Sequence, residues 1–365
     1  MKFLLLFVAL FHFNAHSRVG ELISLASDQG GYPTDAMCFF SNNKMAIYKD
    51  GVLLKYTCLG KLDLYSELWY VGPMKQNVLL VRSELGNLLY DAVVSGDKIF
   101  ITEFSEFETV ALWEHDLSKL TKHSLPQSWK RYMIQDLASM GERLWMRLRD
   151  DSGMYGEAIF NNGQWNILPE RGVSFNFSTS QTPNMVIQKI RMGMPGETEE
   201  ERPDYIQIKR APNFEPEIIV GDMDADPKSP FKSFRNHVNS QGHQWFTIAR
   251  TNDGEVALRG KDLSYEIIPL YKYFKTIDYW PGTLLNDGSL VLRGILLDGT
   301  KGLFSIDVGT PKPIIVHSDS LEIKEGTFEI SSQSMFYNAP VSDGVDVYIG
   351  LGIQDVAQGI FKFRP

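Results

Sequence analysis

The sequence predicts an all-β fold, a β-propeller of seven four-stranded blades that forms one domain over residues 18–365. Three observations predict it. A short strand-like segment recurs seven times, with successive starts 41 to 59 residues apart, which is the spacing of a four-stranded antiparallel unit. Helical periodicity over a dozen residues is almost absent. The last repeat lacks its final strand, and the start of the chain carries a segment that can supply it.

The recurring segment is an apolar, β-branched or aromatic run of strand length. Turn residues such as Asn-Asp-Gly or Ser-Asp-Gly directly precede five of the seven copies. The copies are KMAIYKD from Lys44, KIFITEF from Lys98, RLWMRLR from Arg143, NMVIQKI from Asn184, HQWFTIA from His243, SLVLRGI from Ser289 and VDVYIGL from Val345.

Two further strands follow in the fuller units, for example GLFSIDV from Gly302 and the outer strand PIIVHSD from Pro313. The final unit ends at GIFKFRP, whereas ELISLASD from Glu21 has the pattern of an outer strand. We therefore expect the N-terminal strand to complete the last blade, which removes the open edges of a linear array. The stretch from residue 57 to 86 is longer than one outer strand needs, so six or eight blades stay open as alternatives.

The N-terminus has the pattern of a secretory signal peptide over residues 1–17. Lys2 is a short basic region, an apolar run extends from Phe3 to Phe13, and Ala15 and Ser17 are the small residues of a cleavage site. No later apolar run reaches bilayer-spanning length. We expect an exported monomer without a membrane anchor, in the periplasm or outside the cell.

The charge balance excludes one class of partner. The formal net charge is −9 at pH 7, and nucleic-acid phosphates require a basic surface instead. Hydrophobic residues make up 43% of the chain, which is enough for a large core.

Cys38 and Cys58 are the two cysteines of the chain. Export would permit a disulfide between them, and two buried thiols are the alternative. The strand assignment of the first unit places Cys38 in its first strand and Cys58 just past its third. Two strand spacings amount to about 9.6 Å, which is too far for a disulfide.

A resemblance emerges in the second half of the chain, from Phe234 onward. The segment NSQGHQWF, Asn239 to Phe246, resembles the N-x-x-G-x-x-A-F signature of a bacterial exported tandem-repeat family with a propeller-like fold. Trp245 stands where that signature has a small residue. The resemblance implies a propeller-like fold and an exported protein, and it implies no catalytic residues.

Acidic turns are frequent, as at Asp287-Gly288 and Asp298-Gly299. Glycine adopts positive φ without steric cost and Asp tolerates it, so these pairs favour tight turns between strands over a metal or catalytic site.

The sharpest metal candidate is GDMDADPKSP, in which Asp222, Asp224 and Asp226 alternate as calcium ligands do. Pro227 and Ser233 occupy the positions where a helix-loop-helix calcium loop needs Gly and Glu, so we expect no cofactor and keep Ca²⁺ as the alternative to a solvated acidic loop.

Two other segments interrupt the repeat and are candidate binding surfaces. GETEEERPD clusters Glu197, Glu199 and Glu200 in a predicted exposed loop. YKYFKTIDYWPG is dense in aromatic residues and could expose Tyr271, Tyr273 or Trp280 on one face.

The sequence contains no G-x-S-x-G, Gly-rich phosphate loop or H-E-x-x-H motif. It therefore favours an exported, non-catalytic binding or scaffold propeller for a protein or glycan. A polysaccharide-active glycosidase or lyase, which needs a pair of carboxylates about 5–10 Å apart, is one alternative. A calcium-stabilised structural repeat protein is the other.

Overall fold

The fold was obtained as a computed structural model. It describes residues 17–25, 37–41, 45–60, 63–72, 77–90, 92–106, 108–126, 133–149, 155–168, 173–175, 185–193, 203–307, 309–317, 319–323, 326–329, 339–353 and 357–365.

The strands of these residues form a seven-bladed β-propeller, as the repeat spacing predicts. Each blade is an antiparallel sheet whose strands we letter A to D. The A strands of neighbouring blades contact one another around the centre of the ring, and in blade four strand Met185–Gly193 contacts the A strands of blades three and five. Many D-strand residues are exposed at the rim. The one helical element within the described ranges is a short 3-10 turn, Leu270–Lys272.

Blade one has strand A in two pieces, Met37–Phe40 and Ala46–Tyr48, followed by strands B to D, Gly51–Leu59, Leu64–Val71 and Asn77–Arg82. Blade two has strand A in the pieces Leu88–Leu89 and Val93–Ser95, followed by Lys98–Ser105, Glu108–His115 and Leu120–His123. Strands A to D are Met133–Met140, Arg143–Arg149, Tyr155–Asn161 and Gln164–Leu168 in blade three, and Val173–Phe175, Met185–Gly193, Asp204–Arg210 and Pro216–Gly221 in blade four.

The strands of blades five to seven, in the same order, are Ser233–Gln241, Gln244–Arg250, Glu255–Lys261 and Ser264–Ile268; Phe274–Leu284, Leu290–Leu296, Lys301–Ile306 and Lys312–Val316; and Val341–Ser342, Val347–Ile353, Ala357–Phe363 and Glu21–Leu25.

The N-terminal strand completes the last blade, as predicted. Glu21–Leu25 pairs antiparallel with Ala357–Phe363, and Lys362 Nζ lies 3.0 Å from Glu21 Oε2 across this seam. Just before it, Ser17–Val19 pairs parallel with Ser320–Ile323 in a small additional sheet. Residues 17–25 are therefore held by two strand pairings.

The core consists of apolar clusters between neighbouring blades, one for each of the seven blade pairs within the described residues. Strand alternation explains this: Leu290 and Leu292 pack toward blade five, whereas Val291 between them packs toward blade seven. The cluster that joins Leu54 of blade one to Ile360 of blade seven closes the ring.

The strand assignment predicted for blade one is wrong. Its A strand is interrupted, and both pieces, Met37–Phe40 and Ala46–Tyr48, pair with Gly51–Leu59. The second piece lies within KMAIYKD, the copy of the recurring segment that the sequence assigns as the second strand of this unit. Cys38 is consequently directly opposite Cys58, and the two form a disulfide with a Cα–Cα distance of 4.1 Å. No strand lies between the two cysteines, so the predicted distance of two strand spacings is wrong.

The long stretch from residue 57 to 86 has a simple explanation in this register. It contains the end of strand B, the whole of Leu64–Val71 and the outer strand Asn77–Arg82. These are the missing strands of blade one, so no additional blade is needed.

Candidate functional site

Strand direction divides the connections between two faces of the ring. In a four-stranded antiparallel blade, B–C hairpins and D–A connections emerge at one end, which we call the BC face. A–B and C–D turns emerge at the other end, the AB face. The three segments that interrupt the repeat all meet the BC face, because they follow strands Met185–Gly193, Pro216–Gly221 and Ser264–Ile268.

The acidic insertion is the B–C connection of blade four. Glu197, Glu199 and Glu200 lie outside the described residues, but the two strands that flank the insertion both end at the BC face.

The second segment is the D–A connection from blade four to blade five. Asp222 is buried, and its Oδ2 accepts a hydrogen bond of 3.0 Å from the backbone N–H of Asp204. Its Oδ1 accepts a second one from Ala225 N–H, also 3.0 Å. Burial raises the pKa of the Asp222 carboxyl, and these backbone hydrogen bonds oppose that shift. Asp222 therefore orders the turn that follows it.

The other two aspartates of that segment are exposed. Asp226 Oδ1 accepts a hydrogen bond from Lys228 N–H at 3.0 Å, and Asp224 donates its backbone N–H to the buried carboxylate of Asp222 at 3.2 Å. No group of three or more His, Cys, Asp or Glu residues that could hold a metal ion occurs in the part of the chain that the structure describes. The arrangement fits turn caps, and calcium binding stays a sequence prediction.

The third segment starts with the 3-10 turn that joins blade five to blade six. Tyr271 and Tyr273 are partly buried there and pack against the apolar clusters on the two sides of blade five. Trp280 belongs to strand A of blade six. Inter-blade packing therefore occupies part of the surface of both tyrosines.

A charged network lies behind these segments, and its first part is in blade four. Lys189 is fully buried, and its Nζ lies 3.1 Å from Asp204 Oδ2. It also donates a hydrogen bond of 2.9 Å to Asn236 Oδ1 of blade five. Burial lowers the pKa of the Lys189 ammonium, and the Asp204 carboxylate opposes that shift. Arg191 binds the same carboxylate through two hydrogen bonds, of 2.6 and 3.0 Å.

The network continues through irregular A strands in blades five and six. The register of strand Ser233–Gln241 shifts after Phe234, so Arg235 lies in a bulge. Its guanidinium binds both oxygens of Glu255 and also donates to the backbone carbonyl oxygens of Ile277 and Asp278 in blade six. A β-bulge redirects side chains in this way, and here it ties two blades together.

A second bulge holds the last pair of the network. The register of strand Phe274–Leu284 shifts between Ile277 and Gly282, and Asp278 within that interval lies 2.5 Å from Arg293 Nε. Gly282 is required beside it, because a Cβ there would collide with the backbone carbonyl of Val291.

The interface between blades three and four has its own polar layer. Glu157 Oε2 accepts a 2.5 Å hydrogen bond from Lys209 Nζ, and its Oε1 accepts one of 3.2 Å from Gln188. Gln188 Oε1 in turn accepts from Gln207 at 2.8 Å. The carboxylates of Asp204, Glu255, Asp278 and Glu157 are each paired with a Lys or Arg. Charge-assisted pairs of this kind orient both partners and make the contacts between the strands rigid.

The acidic turn at Asp287-Gly288 belongs to the AB face and joins three blades. Asn286 N–H donates to the carbonyl of Gly344 in blade seven at 2.8 Å, and Arg259 of blade five donates to the carbonyl of Gly288 at 2.8 Å. Asp287 Oδ1 accepts from its own turn, at Ser289 N–H. These contacts are structural, as the sequence predicts for such turns.

Sequence reasoning missed a buried carboxylate on the BC side of blade two. Glu103 is 1% exposed. Its Oε1 accepts from Glu84 N–H at 3.0 Å and from Asn87 Nδ2 at 2.9 Å, and its Oε2 accepts from Trp113 Nε1 at 2.9 Å. Glu103 thereby fixes the connection between blades one and two. The signal in the sequence is an acid in the apolar strand KIFITEF.

Comparison with known proteins shows the fold. No family model and no curated protein matches the chain. Among solved structures, the β-propeller domain of the Trilobed protease from Pyrococcus furiosus matches with a TM-score of 0.61 and 11% identity, over 89% of this chain and 95% of that one. An oligogalacturonate lyase in complex with manganese matches with a TM-score of 0.58 and 11% identity, over 91% of each chain.

A prolyl endopeptidase structure matches with a TM-score of 0.57 and 12% identity, over 88% of this chain and 48% of that one. A puromycin-hydrolyzing peptidase from Mycobacterium tuberculosis is matched over 50% of its length. The chain spans about half of these peptidases. At such identities the likeness defines a tandem-repeat β-propeller, and it fits binding and enzymatic roles equally.

Proposed function

We propose that this chain is a non-catalytic binding propeller that engages a protein or glycan partner through its BC face. One observation carries the proposal: the carboxylates of Asp204, Glu255 and Asp278 behind that face are each paired with a Lys or Arg, an arrangement that favours a rigid site. The connections that depart from the repeat follow strands that end at the BC face, and loops on a rigid scaffold commonly carry recognition.

The charge of the face indicates the chemistry of the partner. The acidic insertion with Glu197, Glu199 and Glu200 follows a strand that ends at the BC face, and the whole chain carries a net charge of −9. Cationic groups on a partner would be attracted to this surface, and anionic polymers would be repelled.

We further propose that the protein functions outside the cytosol. The Cys38–Cys58 disulfide supports this, because such bonds persist in oxidising compartments. The signal-like sequence of residues 1–17 points the same way. Within the described residues, no helix has the length and apolar character needed to cross a bilayer.

The test is capture of a partner with matched surface variants. Wild-type protein immobilised on a resin should retain the same partner from periplasmic or secreted extract in repeated experiments. Glu199→Gln with Glu200→Gln should weaken that retention several-fold. Asp97→Asn with Glu142→Gln, two exposed acids of the AB face, should leave it unchanged.

The two alternative functions have direct assays. Turnover of any polysaccharide in a glycan panel, with no partner captured, would replace the binding proposal by a glycosidase or lyase. A fall in melting temperature on addition of a calcium chelator would support a calcium-stabilised structural protein, and an unchanged melt would exclude it.

A further inference from the structure

Three exposed leucines form a patch on the BC face at blade one, well away from the network of blades four to six. Leu59 and Leu64 are directly paired at the end of a B–C hairpin and are 47% and 42% exposed. Leu85, in the D–A connection beside them, is 67% exposed. The backbone N–H of Gly86 donates to Leu64 O at 2.8 Å. Leu85 also lies close to the hairpin, because its Cδ2 would be 3.8 Å from a Cβ added to Gly60.

The base of this leucine patch is fixed. Cys58, bound in the disulfide, directly precedes the first leucine. Ser66 and Ser83 exchange hydrogen bonds of 2.8 and 2.9 Å, and Ser83 Oγ donates to the carbonyl of Asn87 at 2.7 Å. Glu103 holds the same connection from below. The leucines therefore stand on ordered backbone, and a partner would lose little free energy in arranging them.

Acidic side chains surround the patch. Asp63, Glu84 and Glu106 are exposed, and none of them forms an ion pair with a Lys or Arg among the described residues. Glu106 follows the strand that pairs with Leu88–Leu89, which places it beside the connection that carries Leu85. The sequence adds one cation, Lys61, outside the described residues. An apolar centre with a charged rim is the usual anatomy of an interface.

We propose that the leucine patch docks a basic amphipathic segment of a partner protein, with apolar side chains over the leucines and Lys or Arg over the acidic rim. The inference deepens the proposed function and rests on it. Charge complementarity selects this occupant: a second copy would set acidic rim against acidic rim, and an anionic membrane surface would also be repelled.

The experiment uses fluorescein-labelled peptides and fluorescence anisotropy on the full chain. The probe is an amphipathic peptide of Leu and Lys. The comparison peptides replace Lys by Glu in one case and Leu by Ser in the other. The Leu/Lys peptide should bind wild type, more weakly as salt rises, and each comparison peptide should bind at least tenfold more weakly.

Surface variants locate the binding. Replacing the three leucines together by serine should reduce affinity at least tenfold. A matched control replaces Leu263, Leu297 and Ile167, which are 45%, 61% and 51% exposed elsewhere on the ring, and should leave affinity unchanged. Asp63→Asn, Glu84→Gln and Glu106→Gln together should weaken binding several-fold and flatten its salt dependence. An unchanged urea midpoint in each variant shows that folding is intact.

Several outcomes would overturn the inference. One is that the Leu/Glu or the Ser/Lys peptide binds as tightly as the Leu/Lys peptide. Another is that the control variant loses as much affinity as the leucine variant. A third is a dimer in sedimentation that the leucine variant abolishes, since a second copy would then be the occupant. If the natural partner is captured equally well by wild type and by the leucine variant, this inference fails while the proposed function stands. If no partner is captured and a glycan is turned over, the proposed function itself fails.

Discussion

The buried ion group of blade four gives an asymmetric prediction for two substitutions of its members. Asp204→Asn removes the only carboxylate shown to bind both Lys189 and Arg191. Lys189→Met removes one of two cations and leaves Asp204 bound by the other. The side chains of Lys189 and Asp204 are both fully buried, so the substitutions differ in what each leaves without a partner.

The expected magnitudes follow from that difference. Asp204→Asn leaves the Lys189 charge buried without its carboxylate partner, and breaking a buried pair this way costs about 3–5 kcal/mol. Lys189→Met keeps the bidentate pair with Arg191 and deprives Asn236 Oδ1 of one donor, which costs about 1 kcal/mol. The double variant should be more stable than Asp204→Asn alone, because the orphaned ammonium is gone.

The assay is urea unfolding followed by tryptophan fluorescence and circular dichroism, with wild type, both single variants, the double variant and a control variant in one buffer at pH 7. Lys232→Met, at an exposed lysine, is the control and should change stability by less than about 0.5 kcal/mol. If Lys189→Met were as destabilising as Asp204→Asn, or if the two substitutions simply added, the proposed sharing of Asp204 by two cations would be refuted.

Three further predictions concern the closure of the ring and its turns. Replacing Cys38 and Cys58 by Ala should lower the free energy of unfolding by about 3 kcal/mol, because the bond closes a loop with a sequence separation of 20; an unchanged urea midpoint would contradict it. The hydrogen bond from Arg364 lowers the pKa of Asp346, so its stabilisation is present above the ordinary Asp pKa of 3.8 and is lost as pH falls below it through the folded value; the stability gap between wild type and Asp346→Asn should narrow from pH 5 to pH 3. Gly344→Ala should cost more than about 1 kcal/mol, because φ is +98° there, and thermal melting tests it.

Most of the fold could be predicted because its signals are local. Alternation marks each strand, and positive-φ glycines such as Gly288 and Gly344 mark the turns. The missing last strand required only a count of strands per unit. Blade one failed because its A strand is interrupted after Phe40, so that one strand was counted as two and the register of Cys38 was displaced.

The network behind the BC face could not be predicted from the same signals. In NMVIQKI the charge of Lys189 is typical of an exposed strand position, yet both faces of its strand are covered by neighbouring blades. Its partners lie 15 and 47 residues further along the chain. Such pairs depend on the register between strands and on which blades are neighbours, and a single sequence does not encode either in a short window.

Departures from the repeat and charged contacts between blades coincide in blades four to six. Each bulge leaves part of an A strand out of register. Arg235 in the first bulge binds Glu255 of its own blade and the backbone of blade six. Asp278 in the second bulge pairs with Arg293 of the same blade. Apolar side chains of regular strands could seal the same interfaces, as they do elsewhere in the ring. Buried ion pairs are a poor source of net stability, so their concentration behind the irregular connections is better explained by a need to hold those connections in one arrangement. A binding face requires that rigidity, which is why we place recognition on this side of the ring.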